Sequence, residues 1–153
     1  MPQVGIIVGS ATDQPVMEDT LKTLTDLGVE TELIVASAHR NPKKVQEYVE
    51  SAPATGVEVF IAAAGGAAAL PGVVASHTTL PVIGVPIASS ELGGGIDALY
   101  SIVQMPPGIP VATVAVGAWG ARNAALLAAE VLGIKYANIR DAVEQYRERL
   151  RQR

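Results

Sequence analysis

The sequence predicts an α/β protein, a three-layer doubly wound sandwich in which helices cover both faces of a parallel five-stranded sheet. Two observations and one rule of chain handedness predict it. Five short runs carry continuous rather than alternating apolar residues, many of them β-branched, the pattern of strands buried on both faces. These runs alternate with segments of helical spacing or helix-forming composition, the order of a parallel sheet with crossover helices. Right-handed crossovers then distribute the helices over both faces.

The first strand is Gln3–Gly9 (QVGIIVG), ending in Gly-Ser. Met17, Leu21, Leu24 and Leu27 follow at helical spacing, with Asp13 placed to cap the start of that helix and Gly28 to end it. Glu30–Ala36 is the second strand. Asn41-Pro42 is a strong helix start, with Asn as N-cap and Pro at the first helical position. Val45, Tyr48, Val49 and Ala52 then line one apolar face. Val57–Ala63 is the third strand, and a small-residue helix is predicted over Ala67–Ser76. Pro81–Pro86 is the fourth strand, followed by a loop with Gly93-Gly94-Gly95 and a helix over Ile96–Met105. Val111–Val116 is the fifth strand. Ala118–Leu132 is a helix apolar nearly all round, interrupted by Arg122, Asn123 and Glu130. A final amphipathic helix, Asn138–Arg153, carries Ile139, Val143, Tyr146 and Leu150 on one side.

The 153 residues fit one domain, 1–153, without linker or repeat. A chain of this length buries roughly 70% of its unfolded surface. Only 17% of residues are charged while 49% are apolar. Against an average charged content of about 25% this is a charge-poor surface, so subunit contacts are expected, the C-terminal helix packing on a neighbour among them. The net charge of −4, without a basic cluster before the last turns, argues against nucleic acid as a partner. The absence of cysteine removes disulfides and thiolate metal sites. No charged leader precedes the first apolar run, and the uncharged stretch Phe60–Ser90 is broken by Gly, Pro, Ser and Thr. Neither a signal peptide nor a membrane span is expected, and the cytoplasm is the default location.

In open α/β sheets, ligands bind beyond the carboxyl ends of the strands. Here those ends lead into small or polar segments: Gly9-Ser10-Ala11-Thr12-Asp13, Ser37-Ala38-His39-Arg40, Gly65-Gly66-Ala67-Ala68, Ala88-Ser89-Ser90 and Gly117-Ala118. The opposite ends are plain turns such as Leu27-Gly28-Val29. That asymmetry points to a site. The Ser10 and Thr12 hydroxyls and the amides of a helix start can hold an anion, although the loop is neither a Walker loop nor G-x-G-x-x-G. The bland alternative is an ordinary capped turn. The Arg40 guanidinium can fork onto a phosphate, or can be a surface arginine paired to a carboxylate. His39 is the obvious acid–base group on the rim, or else a loop-capping ring. His77 reads as structural, Trp119 as a packing anchor, and Gly93-Gly94-Gly95 as a lid or a flexible connection.

GSATD (Gly9–Asp13), SAHRNP (Ser37–Pro42), AGGAAALPG (Ala64–Gly72), LPVIGVP (Leu80–Pro86) and SIVQMPPGIPVATVAVG (Ser101–Gly117) occur in that order. Together they resemble the 5-(carboxyamino)imidazole ribonucleotide mutase family of de novo purine biosynthesis, over roughly residues 4 to 133. The resemblance implies a flavodoxin-like sheet, a homo-octamer, a ribonucleotide substrate, and carboxylate transfer from the exocyclic nitrogen to carbon 4 of the imidazole without metal, ATP or organic cofactor. It implies phosphate and ribose contacts at Ser10, Asp13 and Arg40, with Thr12, Ser37 and Ala38 beside them, and acid–base work by His39. It implies that Gly65, Gly66, Ala67, Ala69 and Leu70 lie against the base and the transferred carboxylate. The sequence departs from the family at Ala69, where the loop usually carries a histidine (GGAAHLPG), and at Trp119 and Arg122, where small residues are more usual. Two other readings fit the same residues: direct carboxylation of aminoimidazole ribonucleotide, and a nucleotide-binding homologue whose chemistry changed with Ala69.

Overall fold

The computed structural model describes residues 1–153 and consists of strands β1 (Val4–Val8), β2 (Thr31–Val35), β3 (Val59–Gly65), β4 (Val82–Ile87) and β5 (Ala112–Thr113) with helices α1 (Glu18–Asp26), α2 (Pro42–Ser51), α3 (Leu70–Ser76), α4 (Ile96–Val103), α5 (Ala118–Gly133) and α6 (Ala137–Arg151). All strand pairs are parallel, in the order β2-β1-β3-β4-β5. The chain winds outward from β1 to β2, then crosses back to β3, so the order reverses between β1 and β3.

The apolar strands are explained by two cores, one on each face. Ile6, Val8, Ile61, Ala63, Ile83 and Val85 pack with residues of α1, α5 and α6. The intervening Ile7, Phe60, Ala62, Ala64 and Val82 pack with α2, α3 and α4. The inner strands β1, β3 and β4 alternate between two buried faces, so they need no polar side, whereas the edge strands β2 and β5 are only partly covered. Asn41 caps α2 as the sequence predicts, its side chain accepting from the Lys44 amide at 3.2 Å. Val45, Val49 and Ala52 are buried beneath it.

Four boundaries differ from the sequence expectation. Asp13 does not cap α1. Ser10 does the capping, of a 3-10 stretch Ala11–Met17 that contains Pro15, and α1 begins only at Glu18. Ala67–Ala69 is a tight turn rather than helix, because Ala68 lies at φ +45°. α4 stops at Val103, since Met105 precedes Pro106 and a residue before proline disfavours helical backbone. β5 shrinks to two residues at the sheet edge, paired only through Ile83–Ala112 and Gly84–Thr113.

The nearly all-apolar α5 is covered within its own chain. Ala121, Ala124, Ala125, Ala128 and Ala129 are fully buried against α1, α6 and the sheet. Alanine permits that close packing, and Gly120 permits more: a Cβ there would lie 1.6 Å from the Ala115 carbonyl oxygen. Arg122 forks onto Asp19 of α1 at 3.0 and 3.2 Å. α6 lays Ile139 and Val143 on α5, with Arg147 bonded to Glu130 at 2.6 Å. Exposed apolar side chains cluster on and beside α4, at Leu92, Ile96, Tyr100 and Val103, with others at Trp119 on α5, Ile134 just after it and Leu150 on α6. No helix is long and apolar enough to cross a membrane.

Candidate functional site

The carboxyl ends of β1 and β3 leave the sheet side by side, with Val8 paired to Ala63. This is the point where strand order reverses, and ligand crevices form there. The residues singled out by the sequence gather around it.

After β1, Ser10 and Thr12 join their hydroxyls at 2.9 Å, and the Asp13 amide donates to the Ser10 carbonyl at 3.0 Å. After β2, the Ala36 amide donates to the Val8 carbonyl at 2.8 Å, keeping the second loop against the first. Ser37 Oγ accepts from the Arg40 amide at 3.1 Å, and the Ser37 carbonyl accepts from Asn41 at 2.9 Å. This turn carries Ala38, His39 and Arg40 beyond the strand end. Arg40 Nη2 reaches the Gly9 carbonyl at 3.2 Å, tying the two loops together. Arg40 makes no ion pair within 4.0 Å, which sets aside the reading of a carboxylate-paired surface arginine.

Asp13 is 8% exposed, and its side chain accepts no hydrogen bond from another residue. Burial pushes its carboxyl above the ordinary value, and the Arg40 charge opposes that shift. The loop after β1 thus lies beside a largely buried carboxylate and a guanidinium that no carboxylate pairs. His39 is exposed, with no hydrogen-bond partner in the chain.

The loop after β3 turns sharply. The Ala68 amide donates to the Gly65 carbonyl at 3.0 Å, with Gly66 at φ +60° and Ala68 at φ +45°. The Gly66, Ala67 and Ala69 amides bond no backbone acceptor. Ala67 is exposed and Ala69 half-buried, whereas the Leu70 side chain is 3% exposed in the core. Leu70 can therefore offer a ligand its backbone but not its side chain. Gly65 lies beneath Ser89 of the next loop: a Cβ on Gly65 would sit 1.7 Å from Ser89 Oγ and 2.9 Å from Ser89 Cβ. Further along that loop, Ser90 donates to Asp97 at 2.5 Å, and this bond with the Ala98 amide holds the Asp97 carboxyl below its usual range. No three His, Asp or Glu side chains converge anywhere in the chain to form a metal cluster.

Residues 3–153 match the AIR carboxylase family. The chain belongs to that family. The N5-carboxyaminoimidazole ribonucleotide mutase of Pyrococcus abyssi is 57% identical over 148 residues, covering 97% of this chain and 83% of that protein. The enzyme of the same name from Thermotoga maritima is 54% identical over 151 residues, covering 99% and 86%. The crystal structure of Treponema denticola PurE superposes with a TM-score of 0.89 at 31% identity, covering 99% of this chain and 93% of that one.

In this AIR carboxylase family member, two residues sit apart from the rim. His77 is half-buried, with Nδ1 3.8 Å from Glu50, beside a cavity of about 950 Å³ at the amino-terminal ends of the strands. That cavity is lined mainly by uncharged side chains and shares none with the rim loops. Trp119, expected to anchor packing, is 83% exposed at the start of α5, because the helix turns its alanines inward and its first turn outward. The sequence reading passed over Ser101 on α4, which donates to the Ala67 carbonyl. Its spacing within an exposed helix gives no sign of a contact 34 residues away. Ser89, by contrast, stands in the Ala88-Ser89-Ser90 segment that the sequence places at a strand's carboxyl end.

Proposed function

We propose that this chain is an N5-carboxyaminoimidazole ribonucleotide mutase, an isomerase of purine biosynthesis that moves the carboxylate from the exocyclic nitrogen to carbon 4 of the imidazole. The observation that carries this reading is that relatives 51–57% identical over most of the chain bear that name. The rim geometry supports it. Ser10, Thr12 and Arg40 hold the phosphate, with Asp13 and the Ser37-Ala38 turn beside the ribose. His39 stands one residue from the phosphate anchor with its ring unencumbered. The loop Gly65–Ala69, with Leu70 behind it, offers free amides to the base and its carboxylate.

The imidazolium of His39 gives its proton to the carbamate nitrogen, the N–C bond breaks, and carbon dioxide and aminoimidazole ribonucleotide form in place. The enamine-like carbon 4 then attacks carbon dioxide, forming the new C–C bond. Neutral His39 removes the proton left on carbon 4 and returns to its starting state. One base serves both transfers because the proton given is recovered. Enclosure of the site keeps the carbon dioxide from escaping.

The chain acts as a homo-oligomer, an octamer by the family resemblance. Exposed Leu92, Ile96, Tyr100 and Val103 on α4, with Trp119, supply apolar surface for contacts between copies. Light scattering at micromolar concentration reads an assembly several times the 15.8 kDa chain mass; a monomer would overturn the oligomer.

The function is tested by supplying the carbamate ribonucleotide and, separately, aminoimidazole ribonucleotide with bicarbonate, following product absorbance. Turnover of the first far above the second is expected. The reverse would establish direct carboxylation, and turnover of neither would leave a nucleotide-binding homologue.

A further inference from the structure

We infer that Ser101 is a positioning residue for the Gly65–Ala69 loop, its hydroxyl holding the Ala67–Ala68 peptide plane in the conformation that meets the substrate. The inference rests on the functional reading above.

Ser101 lies on the exposed side of α4. Hydroxyls on helices ordinarily bond their own backbone one turn back. Thr25, Ser51 and Ser76 do so here, donating to the carbonyls of Leu21, Tyr48 and Val73. Ser101 instead donates to the carbonyl of Ala67, in the loop after β3.

That carbonyl belongs to a constrained peptide. Its other end is the Ala68 amide, which donates to the Gly65 carbonyl at 3.0 Å. One peptide plane is therefore pinned at both ends, by Ser101 through oxygen and by Gly65 through nitrogen. The plane needs pinning because Ala68, at φ +45°, is the one non-glycine residue of the chain in the left-handed region. An L-residue leaves that region readily when nothing opposes it, since its Cβ crowds the following carbonyl. A flip of this peptide relaxes Ala68 and rotates the neighbouring amides that the loop presents. The stretch after α4 packs on the helix that follows the loop: a Cβ on Gly72, in the first turn of α3, would lie 3.0 Å from Met105 Sδ. α4 and the residues after it thus hold the loop from outside, while the phosphate is anchored by other loops.

Ser101→Ala and Ser101→Thr in the full chain test this. Loss of one hydrogen bond predicts that Ser101→Ala lowers kcat roughly 3- to 10-fold. KM should move by less than about twofold, because phosphate binding is untouched. Ser101→Thr, which keeps the hydroxyl, should restore kcat. Hydrogen exchange at the Ala68 amide, measured without substrate, should quicken in Ser101→Ala and return in Ser101→Thr. Unchanged exchange in Ser101→Ala overturns the inference whatever happens to activity. Faster exchange with unchanged kcat overturns the link to turnover. A rise in KM alone overturns the assignment to the loop. If the wild-type chain turns over neither substrate, the mutase reading fails, and the exchange measurement still decides whether Ser101 positions the loop.

Discussion

The Arg40 guanidinium donates to the Gly9 carbonyl at 3.2 Å, so the loop after β2 is fastened to the loop after β1 by a residue whose charge no carboxylate pairs. One donor of the fork is used for position, and the others bond no residue of the chain.

Arg40→Ala should therefore weaken binding of aminoimidazole ribonucleotide by about 1.5–3 kcal/mol, the range of hydrogen bonds to charged groups. Arg40→Lys should recover only part of this, since an ammonium cannot hold Gly9 and fork onto phosphate together. Titration calorimetry checks both. Unchanged affinity in Arg40→Ala would remove the phosphate assignment.

Asp13→Asn should make the protein more stable and a poorer binder. Burial holds the Asp13 carboxyl above its ordinary value of 3.8, with Arg40 only partly opposing it. The folded state thus takes up the proton more readily than the unfolded chain. The wild type accordingly loses stability as pH rises from 3.8 through the folded value, and asparagine carries no such slope. At pH 7 the substitution should gain about 0.5–2 kcal/mol. The gain should shrink on acidification and vanish below the unfolded value. Urea unfolding at pH 7 and pH 4, with ligand titration, reads both effects; a destabilised Asp13→Asn at pH 7 would contradict the account.

Gly65→Ala should destabilise by about 1–3 kcal/mol through overpacking. The new Cβ meets Ser89 Cβ at 2.9 Å and the Ile87 carbonyl oxygen at 3.0 Å even after the Ser89 hydroxyl rotates away. Adding Ser89→Gly should restore part of the loss, because only the Ile87 contact remains. Gly9→Ala, with nothing within 4 Å of the added Cβ, should be near neutral. Denaturation of the three variants beside the wild type decides the matter, and equal effects at Gly9 and Gly65 would refute it.

His39→Asn should lower turnover roughly 100- to 10,000-fold, the usual contribution of general acid–base catalysis. Ligand affinity should change little, since His39 bonds no other residue and the phosphate anchor stays in place. Turnover and affinity of the same preparation give the test. Near-normal turnover would take His39 out of the mechanism.

The sequence alone determined the layers, the order of elements, and the rim. Strands buried on both faces must be apolar throughout, so β1, β3 and β4 were readable without any partner in view. Asn41-Pro42 marked a helix start because capping is a local matter of one side chain and the next few amides. His39 and Arg40 were legible because a polar dipeptide a few residues after an apolar strand lies at that strand's carboxyl end. Ala69 was visible as a departure within the AGGAAALPG loop.

Tertiary structure decided what depends on contacts between distant segments. Asp13 looked like a helix cap, and only its enclosure near Arg40 made it a buried carboxylate. α5, apolar nearly all round, is covered by α1 and α6 of its own chain, which leaves the exposed apolar side chains mainly on and beside α4 and at Trp119 and Ile134. The closeness of Gly65 to Ser89, and the reach of Ser101 to Ala67, join residues 24 and 34 positions apart. Periodicity and capping act over a few residues, whereas these relations are fixed by which strands become neighbours and how closely their loops approach.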